Sequence, residues 1–494
     1  MRKFWTKWLF LVVVIVAIFF RFYKIDTLPG EIFGDMSQNL MHVENLLKGD
    51  YRLIYGYDGR EGMWFYIVAL VAKIFGNSYF SLKIAAAIIG TLSVIMLFIL
   101  TRELTNFYIG LTAALLMAVS KWNVVFSRIG FRVVLVPLFV SAVIYAYVRA
   151  KKTKSWIWYV LTGGLMGLGM YTYPAFKLMI AAMILVMTTD YWLHRNTLKR
   201  SLLALLTLVI FCMPLAIDMN KNPEQYTSHT KQMLLNEDGV IRHDWMTTLG
   251  KNIINQSLMF NYQGDLVFRV NPSKQPMLDP ISGVFFWIGI MAWFFVKKKE
   301  NLLLLGVFCF MQLPSILVLN NPQDIPSATR SLGVTPMVHI MTAYGLWFTV
   351  QKIKLRIGWR HGLITVVLIL IGIINWHNYF TVYAYGLPNH NEAYDRIVAD
   401  YIEKVPDDVE VVMFDCCWAD IGTPEPEGID WIVKGSRHVR FVKKSETLSL
   451  SENTKTLIIL PPTIEIVGEG YYNDIKYDKY GKVVFKVLKN YDER

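Results

Sequence analysis

Residues 81–101 read SLKIAAAIIGTLSVIMLFILT, a run with one charge, Lys83, near its start and a basic residue, Arg102, immediately after its end. A helix crosses a bilayer core about 30 Å thick with about 20 apolar residues, and an uncharged stretch of this length is driven out of water by its apolar surface. Working outward, comparable runs occupy 8–21, 107–125, 133–149, 156–172, 175–193, 202–218, 281–296, 301–319, 335–350 and 362–380. The chain therefore reads as a mainly α polytopic membrane protein with about 11 transmembrane helices. Composition agrees: only 18% of the 494 residues are charged, against about 25% in soluble domains.

The connecting loops order these runs. One side carries Arg2, Lys3 and Lys7; Arg102; Lys151, Lys152 and Lys154; Arg195, Lys199 and Arg200; Lys297, Lys298 and Lys299; and Lys352, Lys354, Arg356 and Arg360. The other side carries few basic residues, chiefly Arg128, Arg132 and Arg330. Basic residues accumulate on the cytoplasmic side, so the N-terminus is expected in the cytoplasm and the C-terminus outside, in a multi-pass plasma-membrane protein. The net charge of +12 follows from these loops and points to a membrane surface, not to nucleic acid. The N-terminal run reads as a first membrane helix and not as a signal peptide, because Arg21-Phe-Tyr-Lys-Ile-Asp follows it where a small-residue cleavage site belongs.

Residues 1–385 thus form a transmembrane domain, with long outer loops at 22–80 and 219–280. In the first loop Met36, Leu40, Val43 and Leu47 recur at helical spacing, which marks an amphipathic helix. That helix and Met63–Phe75 are expected at the outer membrane interface. From 386 to 494 the pattern changes to an extracytoplasmic α/β domain, with a helix over 391–405 and strands near 409–414, 438–442, 456–460 and 482–488. Cys212 and Cys309 read as packing residues, and the adjacent Cys416 and Cys417 lack the C-x-x-C spacing of a metal site.

Ionisable groups at a membrane face are candidate functional residues. Asp35, heading the amphipathic helix, could accept a proton from an attacking hydroxyl; it could equally cap that helix in a box closed by Gln38. Arg60-Glu61 could serve chemistry or form an exposed ion pair. Arg128 and Arg132 share one short outer loop, and their guanidinium forks suit a phosphate, although contact with lipid headgroups would also satisfy them. Arg330 precedes a late span, and Tyr171-Thr-Tyr173-Pro-Ala-Phe-Lys177 places a lysine just inside another. One or two carboxylates among several cations suit a lipid-linked phosphate donor.

The order of these segments resembles the integral-membrane clan C glycosyltransferases related to protein O-mannosyltransferases and the lipid A aminoarabinose transferase, especially bacterial members that use a phospholipid-carried sugar. The resemblance lies in Asp35 after Leu28-Pro29; in Gly59-Arg60-Glu61 with Phe65-Tyr66; and most specifically in Trp122-Asn-Val-Val-Phe-Ser-Arg128-Ile-Gly-Phe-Arg132. It continues through Tyr171-Thr-Tyr173 with Lys177, Gly264-Asp265, Asn271-Pro272, Pro276-Met-Leu-Asp-Pro280 and Pro326-Ser-Ala-Thr-Arg330. It implies Asp35 as general base toward an acceptor hydroxyl, with Arg128, Lys177 and Arg330, and more weakly Arg132, binding a polyprenyl phosphate. Arg60 and Tyr173 join them as substrate-binding candidates. Met36 and Gly62 stand where relatives carry glutamate and proline, and Glu61 is the nearest substitute for the missing acid.

The expected reaction is an inverting, hexosyl-type transfer from a polyprenyl-phosphate sugar to a protein, lipid or glycan acceptor on the outer face. No D-x-D pair occurs in the first loop, and neither cofactor nor metal is expected. A transporter or flippase of lipid-linked or anionic substrates is the alternative; it would place ionisable residues in mid-helix or in paired broken helices. A non-catalytic sugar or lipid sensor is a third reading.

Overall fold

The computed structural model describes every residue except 1, 31–32, 57–58, 194–196, 237, 296–298, 355, 417, 419–423, 437, 443–453, 465–471 and 492–494. The basic positions Arg195, Lys297 and Lys298, and Asp58 beside the Gly59-Arg60-Glu61 segment, lie outside the described residues. The described residues form two compact units: residues 1–25 with 45–383, and residues 26–44 with 384–494.

In the first unit every predicted span falls on a helix, but not every helix is as long as predicted. Tyr79–Leu104, residues 132–153, Leu198–Lys221 and residues 357–383 are each long and apolar enough to cross a bilayer. Phe107–Val119 and Pro280–Phe295 are apolar but shorter. The run predicted over 107–125 breaks at Ser120, whose ψ of 120° is not helical. The amide of Lys121 there donates to Asn375 Oδ1 at 2.8 Å, so Lys121–Phe126 starts as a separate short helix. The run over 301–319 likewise divides into Lys299–Phe310 and Leu313–Ile316. Pro314 follows directly, and it has no amide hydrogen with which to continue the first helix.

Small residues set the helix packing. Gly289 in Pro280–Phe295 meets Thr335–Lys352 so closely that an added Cβ would lie 1.9 Å from Met341 O, and a Cβ on Gly345 would lie 2.0 Å from Phe285 O. A Cβ on Gly163 would lie 2.0 Å from Ala204 O, where Trp156–Gly169 meets Leu198–Lys221. Between apolar helices in lipid, such backbone approach supplies the dispersion contact that the hydrophobic effect cannot.

The second unit contains a five-stranded sheet in the order β4-β3-β5-β7-β6. Its strands are β3 (Glu410–Phe414), β4 (Val439–Val442), β5 (Thr456–Leu460), β6 (Tyr472–Tyr477) and β7 (Val483–Lys489); β1 (Ile54–Tyr55) and β2 (Arg60–Glu61) are a hairpin of the first unit. β3 runs parallel to β4 and β5, and β7 antiparallel to β5 and β6. Alternation places Val411 and Met413 on one face, where they meet Val398, Ile402, Ile429 and Val433 of helices Tyr394–Ile402 and Pro426–Val433. Val412 and Phe414 join Ile458 and Leu460 on the other face.

The first-loop helix, Gly34–Leu47, belongs to this second unit for most of its length. Glu425 caps it by accepting from the amide of Gly34. Gln38 Nε2 donates to Glu427 Oε1 at 3.1 Å, and Lys434 Nζ reaches Glu44 Oε2 at 2.6 Å. Its apolar stripe of Met36, Leu40 and Val43 is buried in protein, which corrects the expectation of a helix lying on the membrane surface.

Replacing Gly289 or Gly345 by alanine should therefore force two helices apart. A destabilisation of about 1–3 kcal/mol is expected for overpacking of this kind, read as a lowered melting temperature of the detergent-solubilised protein. The same change at Gly306, which has no heavy atom within 4 Å of an added Cβ, should leave the melting temperature within error.

Candidate active site

The β1–β2 hairpin pairs Ile54 with Glu61 and Tyr55 with Arg60. Because successive side chains point to opposite faces, Glu61 turns inward and is 2% exposed, while Arg60 stays half-buried. Gly59 in the connecting turn has a φ of +70°, and a Cβ there would lie 2.3 Å from Gln225 O; both facts demand glycine.

Around Glu61 the first unit gathers side chains from distant parts of the chain. Arg132, from the 3₁₀ turn Arg132–Val134, brings Nε to 3.7 Å from Glu61 Oε2, and its guanidinium lies 5.4 Å from the centre of the Tyr173 ring. One turn after Tyr173, at the start of Phe176–Leu193, Lys177 places Nζ 4.7 Å from the centre of the Tyr226 ring. Tyr226 comes from helix Pro223–Leu234, whose Gln225 side chain donates to Gly56 O and so fastens the helix to the hairpin turn. Burial, reinforced by the nearby Glu61 carboxylate, pushes the Tyr226 phenol above its ordinary range, so it remains a proton donor. One carboxylate and two cations leave this group with an excess positive charge suited to an anion.

An apolar groove of about 480 Å³ is lined by Leu53, Met63, Tyr66, Leu168, Tyr171 and Phe211 among others. Two of its lining residues, Leu53 and Tyr171, also pack in the cluster that holds Tyr226. A charged group and an apolar groove that share neighbours suit an amphiphile with a charged head.

Arg128 lies elsewhere and is fully buried. Its Nη1 donates to Phe20 O and Arg21 O at 3.0 and 2.9 Å, and its Nη2 to Tyr23 O and Lys24 O at 2.7 and 3.2 Å. The rings of Tyr379 and Phe380 cover it at 5.3 and 5.4 Å. Phe20 O and Arg21 O are carbonyls left open at the end of helix Arg2–Phe22, and Tyr23 and Lys24 follow it directly, so the guanidinium expected to meet a phosphate is seated against the helix end.

Arg330 belongs to a third group, in the segments that connect helices. Its Nη2 lies 3.0 Å from Met233 Sδ and 3.9 Å from Asp324 Oδ2. Nearby, Asp265 accepts from the amides of Val267 and Ala328 at 2.7 and 2.6 Å. Burial pushes its carboxyl up to about 6. Lys121 Nζ donates to Asn271 Oδ1 at 2.9 Å and Pro276 O at 3.2 Å, and the indole of Trp122 to Ala328 O at 3.2 Å. Asp35 lies in the second unit, in the first turn of Gly34–Leu47, where Gln38 Nε2 donates to Glu427. Thus Glu61, Arg132, Tyr173 and Lys177 come together. Arg128 and Arg330 share no described contact with them.

Sequence reading missed Tyr226 and gave Asp265 no role. The signal for the first was Asn222-Pro223, a proline at the first position of a helix, inside a segment otherwise read as a loop. Among the described residues no three His, Cys, Asp or Glu side chains gather in a set that could hold a metal ion.

Two outcomes separate strut from site. Arg128→Met should leave four carbonyls without their donor and lower the melting temperature sharply, by an amount typical of about 3 kcal/mol or more for a broken buried charged contact, whereas Lys177→Met should not. Asp265 has a folded-state pKa above its unfolded value, so the folded state binds that proton more tightly. Its contribution to stability should fall as pH rises between about 4 and 6 and stay flat above. Melting temperatures of wild type and Asp265→Asn across that window check this, with a shallower dependence expected in the variant.

A family model described as dolichyl-phosphate-mannose-protein mannosyltransferase matches residues 62–217. The fold is similar to that of ArnT from Cupriavidus metallidurans solved with undecaprenyl phosphate, at 12% identity and a TM-score of 0.59, covering 99% of each chain. It is also similar to the oligosaccharyltransferase AglB from Archaeoglobus fulgidus, solved with an inhibitory peptide and a dolichol-phosphate. Identity there is 14% and the TM-score 0.52, over 89% of this chain and 64% of that one. No curated protein matches the sequence. The family match thus covers residues 62–217, and the fold is shared with ArnT over nearly the whole chain.

Proposed function

We propose that the protein is a glycosyltransferase that moves a sugar from a polyprenyl-phosphate carrier to an acceptor hydroxyl at the outer face of the plasma membrane. One observation carries this reading: Glu61, Arg132, Tyr173 and Lys177 gather two cations about a carboxylate, and the neighbours of Glu61 and Tyr173 in the chain, Gly62, Met63 and Tyr171, line an apolar groove. The head and the tail of a lipid phosphate need those two environments side by side. The printed ligands of the similar structures, undecaprenyl phosphate on ArnT and dolichol-phosphate on AglB, support the same class of carrier.

In the proposed step the acceptor oxygen attacks C1 of the sugar. The bond from C1 to the phosphate oxygen breaks, and polyprenyl phosphate leaves with the electron pair. A single displacement of this kind inverts the anomeric centre. Charge grows on the departing phosphate, where Lys177 and Arg132 are fixed donors whose cost of alignment is met by folding. The acceptor proton passes to a carboxylate. The resemblance assigns that role to Asp35, and Glu61 orients Arg132 and takes the place of the missing second acid. Arg330 and Arg60 serve the headgroup in this reading, and Arg128 holds the segment that delivers Arg132. The alternation of basic loops supports an N-terminus in the cytoplasm and a C-terminal unit outside.

The test is release of free polyprenyl phosphate from a panel of polyprenyl-phosphate sugars incubated with purified protein and membrane-derived acceptor. Lys177→Met should slow release about 10²- to 10³-fold, the loss typical of removing one fixed oxyanion donor. Asp35→Asn should abolish it with unchanged folding; near-normal turnover in that variant would remove Asp35 as the base. Consumption of donor without movement of lipid across a vesicle wall separates a transferase from a transporter. Failure of every donor in the panel would end the transferase reading.

A further inference from the structure

Tyr226 is only 7% exposed, and among the described residues none takes or supplies a hydrogen bond at its hydroxyl. Buried hydroxyls are rarely left so, because water is given up and nothing replaces it. Nothing about packing requires the oxygen: a phenylalanine would fill the same space. The hydroxyl is also not adrift. The Lys177 ammonium lies 4.7 Å from the ring centre, Glu61 is close enough to act on the phenol electrostatically, and Gln225 locks the preceding turn onto Gly56. Ring, ammonium and helix are all fixed, while the one polar atom they hold in place lacks a partner.

From this geometry we infer that Tyr226 is a substrate-binding residue, its hydroxyl donating to a phosphate oxygen of the lipid carrier while Lys177 neutralises the same anion. A phosphate offers several acceptor oxygens, so one anion accepts from both donors. A sugar hydroxyl would need no cation there, and a carboxylate ligand would face Glu61 with fewer oxygens to share. The inference rests on the donor-phosphate reading of this site and extends it to a residue and a helix to which that reading gave no part. The role is specific to the oxygen. The ring packs on Lys177 in either case, and the hydroxyl adds a donor whose bond is stronger to a charged acceptor than to a neutral one.

The experiment compares wild type and Tyr226→Phe, full length in detergent, for binding of undecaprenyl phosphate, neutral undecaprenol and inorganic phosphate. Removal of a single donor to a charged acceptor should weaken undecaprenyl phosphate binding about tenfold or more. Undecaprenol should bind both proteins alike, and the melting temperature should be equal or higher in the variant. Equal affinity of the two proteins for undecaprenyl phosphate overturns the inference. So does an equal loss for undecaprenol, which would make the effect one of tail packing. A loss confined to inorganic phosphate overturns the lipid source. Should the variant fold poorly, hydrogen exchange in the wild type decides: amides of 223–234 must be protected by undecaprenyl phosphate and not by undecaprenol, and equal protection by both would count against Tyr226. Binding that depends on Tyr226 in a protein that transfers no sugar would overturn the proposed activity and leave this assignment standing.

Discussion

The first unit depends on a buried charge seated against the end of a helix. Arg128 is held by four backbone carbonyls at the end of helix Arg2–Phe22, between the rings of Tyr379 and Phe380. A helix ends in unsatisfied carbonyls bearing partial negative charge. A guanidinium is the one side chain with enough donors in a plane to take four of them at once. The bonds lower a cost on both sides in an apolar setting: the carbonyls gain donors, and the guanidinium N–H groups gain acceptors.

That cap has a consequence four residues on. The segment 120–132 is fastened at its start by Lys121 to Asn271 and Pro276, and by Trp122 to Ala328; Arg128 fastens it near its end. Between those ties it cannot slide, so the turn at Arg132–Val134 delivers Arg132 to Glu61 from a fixed base. Glu61 in turn is fixed by its strand register with Ile54. Positions on rigid elements hold a charged constellation better than loops do, and here the rigidity comes from buried hydrogen bonds to backbone.

Membrane helices were legible because apolar length is a one-dimensional property of the chain, and so were most strands of the α/β unit. The interruptions were not. Ser120 breaks its helix because Asn375, 254 positions away in sequence, claims the amide of Lys121. The β6 strand, Tyr472–Tyr477, was not foreseen, because its sequence YNDIKY lacks the β-branched alternation that marks a strand. Helix Pro426–Val433 was not foreseen either. The first-loop helix was found from its spacing, yet spacing says only that a stripe is buried, and protein, not lipid, buries Met36, Leu40 and Val43. The site was half legible for a similar reason. Two arginines in one short segment mark a need for acceptors, but the sequence could not tell an anion from a set of carbonyl dipoles. Arg132 meets Glu61, while Arg128 meets backbone. Tyr226 was not legible because its contact with Lys177 joins residues 49 positions apart in the chain.

Helix Pro223–Leu234 ties the remaining pieces together. Its first turn holds Gln225 on the hairpin and Tyr226 on Lys177. Two turns later Met233 meets Arg330 through its sulfur, and its carbonyl accepts from the amides of Leu319 and Asn320 at 2.9 and 3.0 Å. Seven residues at 1.5 Å each set these stations about 10 Å apart along the helix. Lys177 at Tyr226 and Arg330 at Met233 are therefore two stations on one rigid element. The helix couples them, because it cannot shift at one station without shifting at the other.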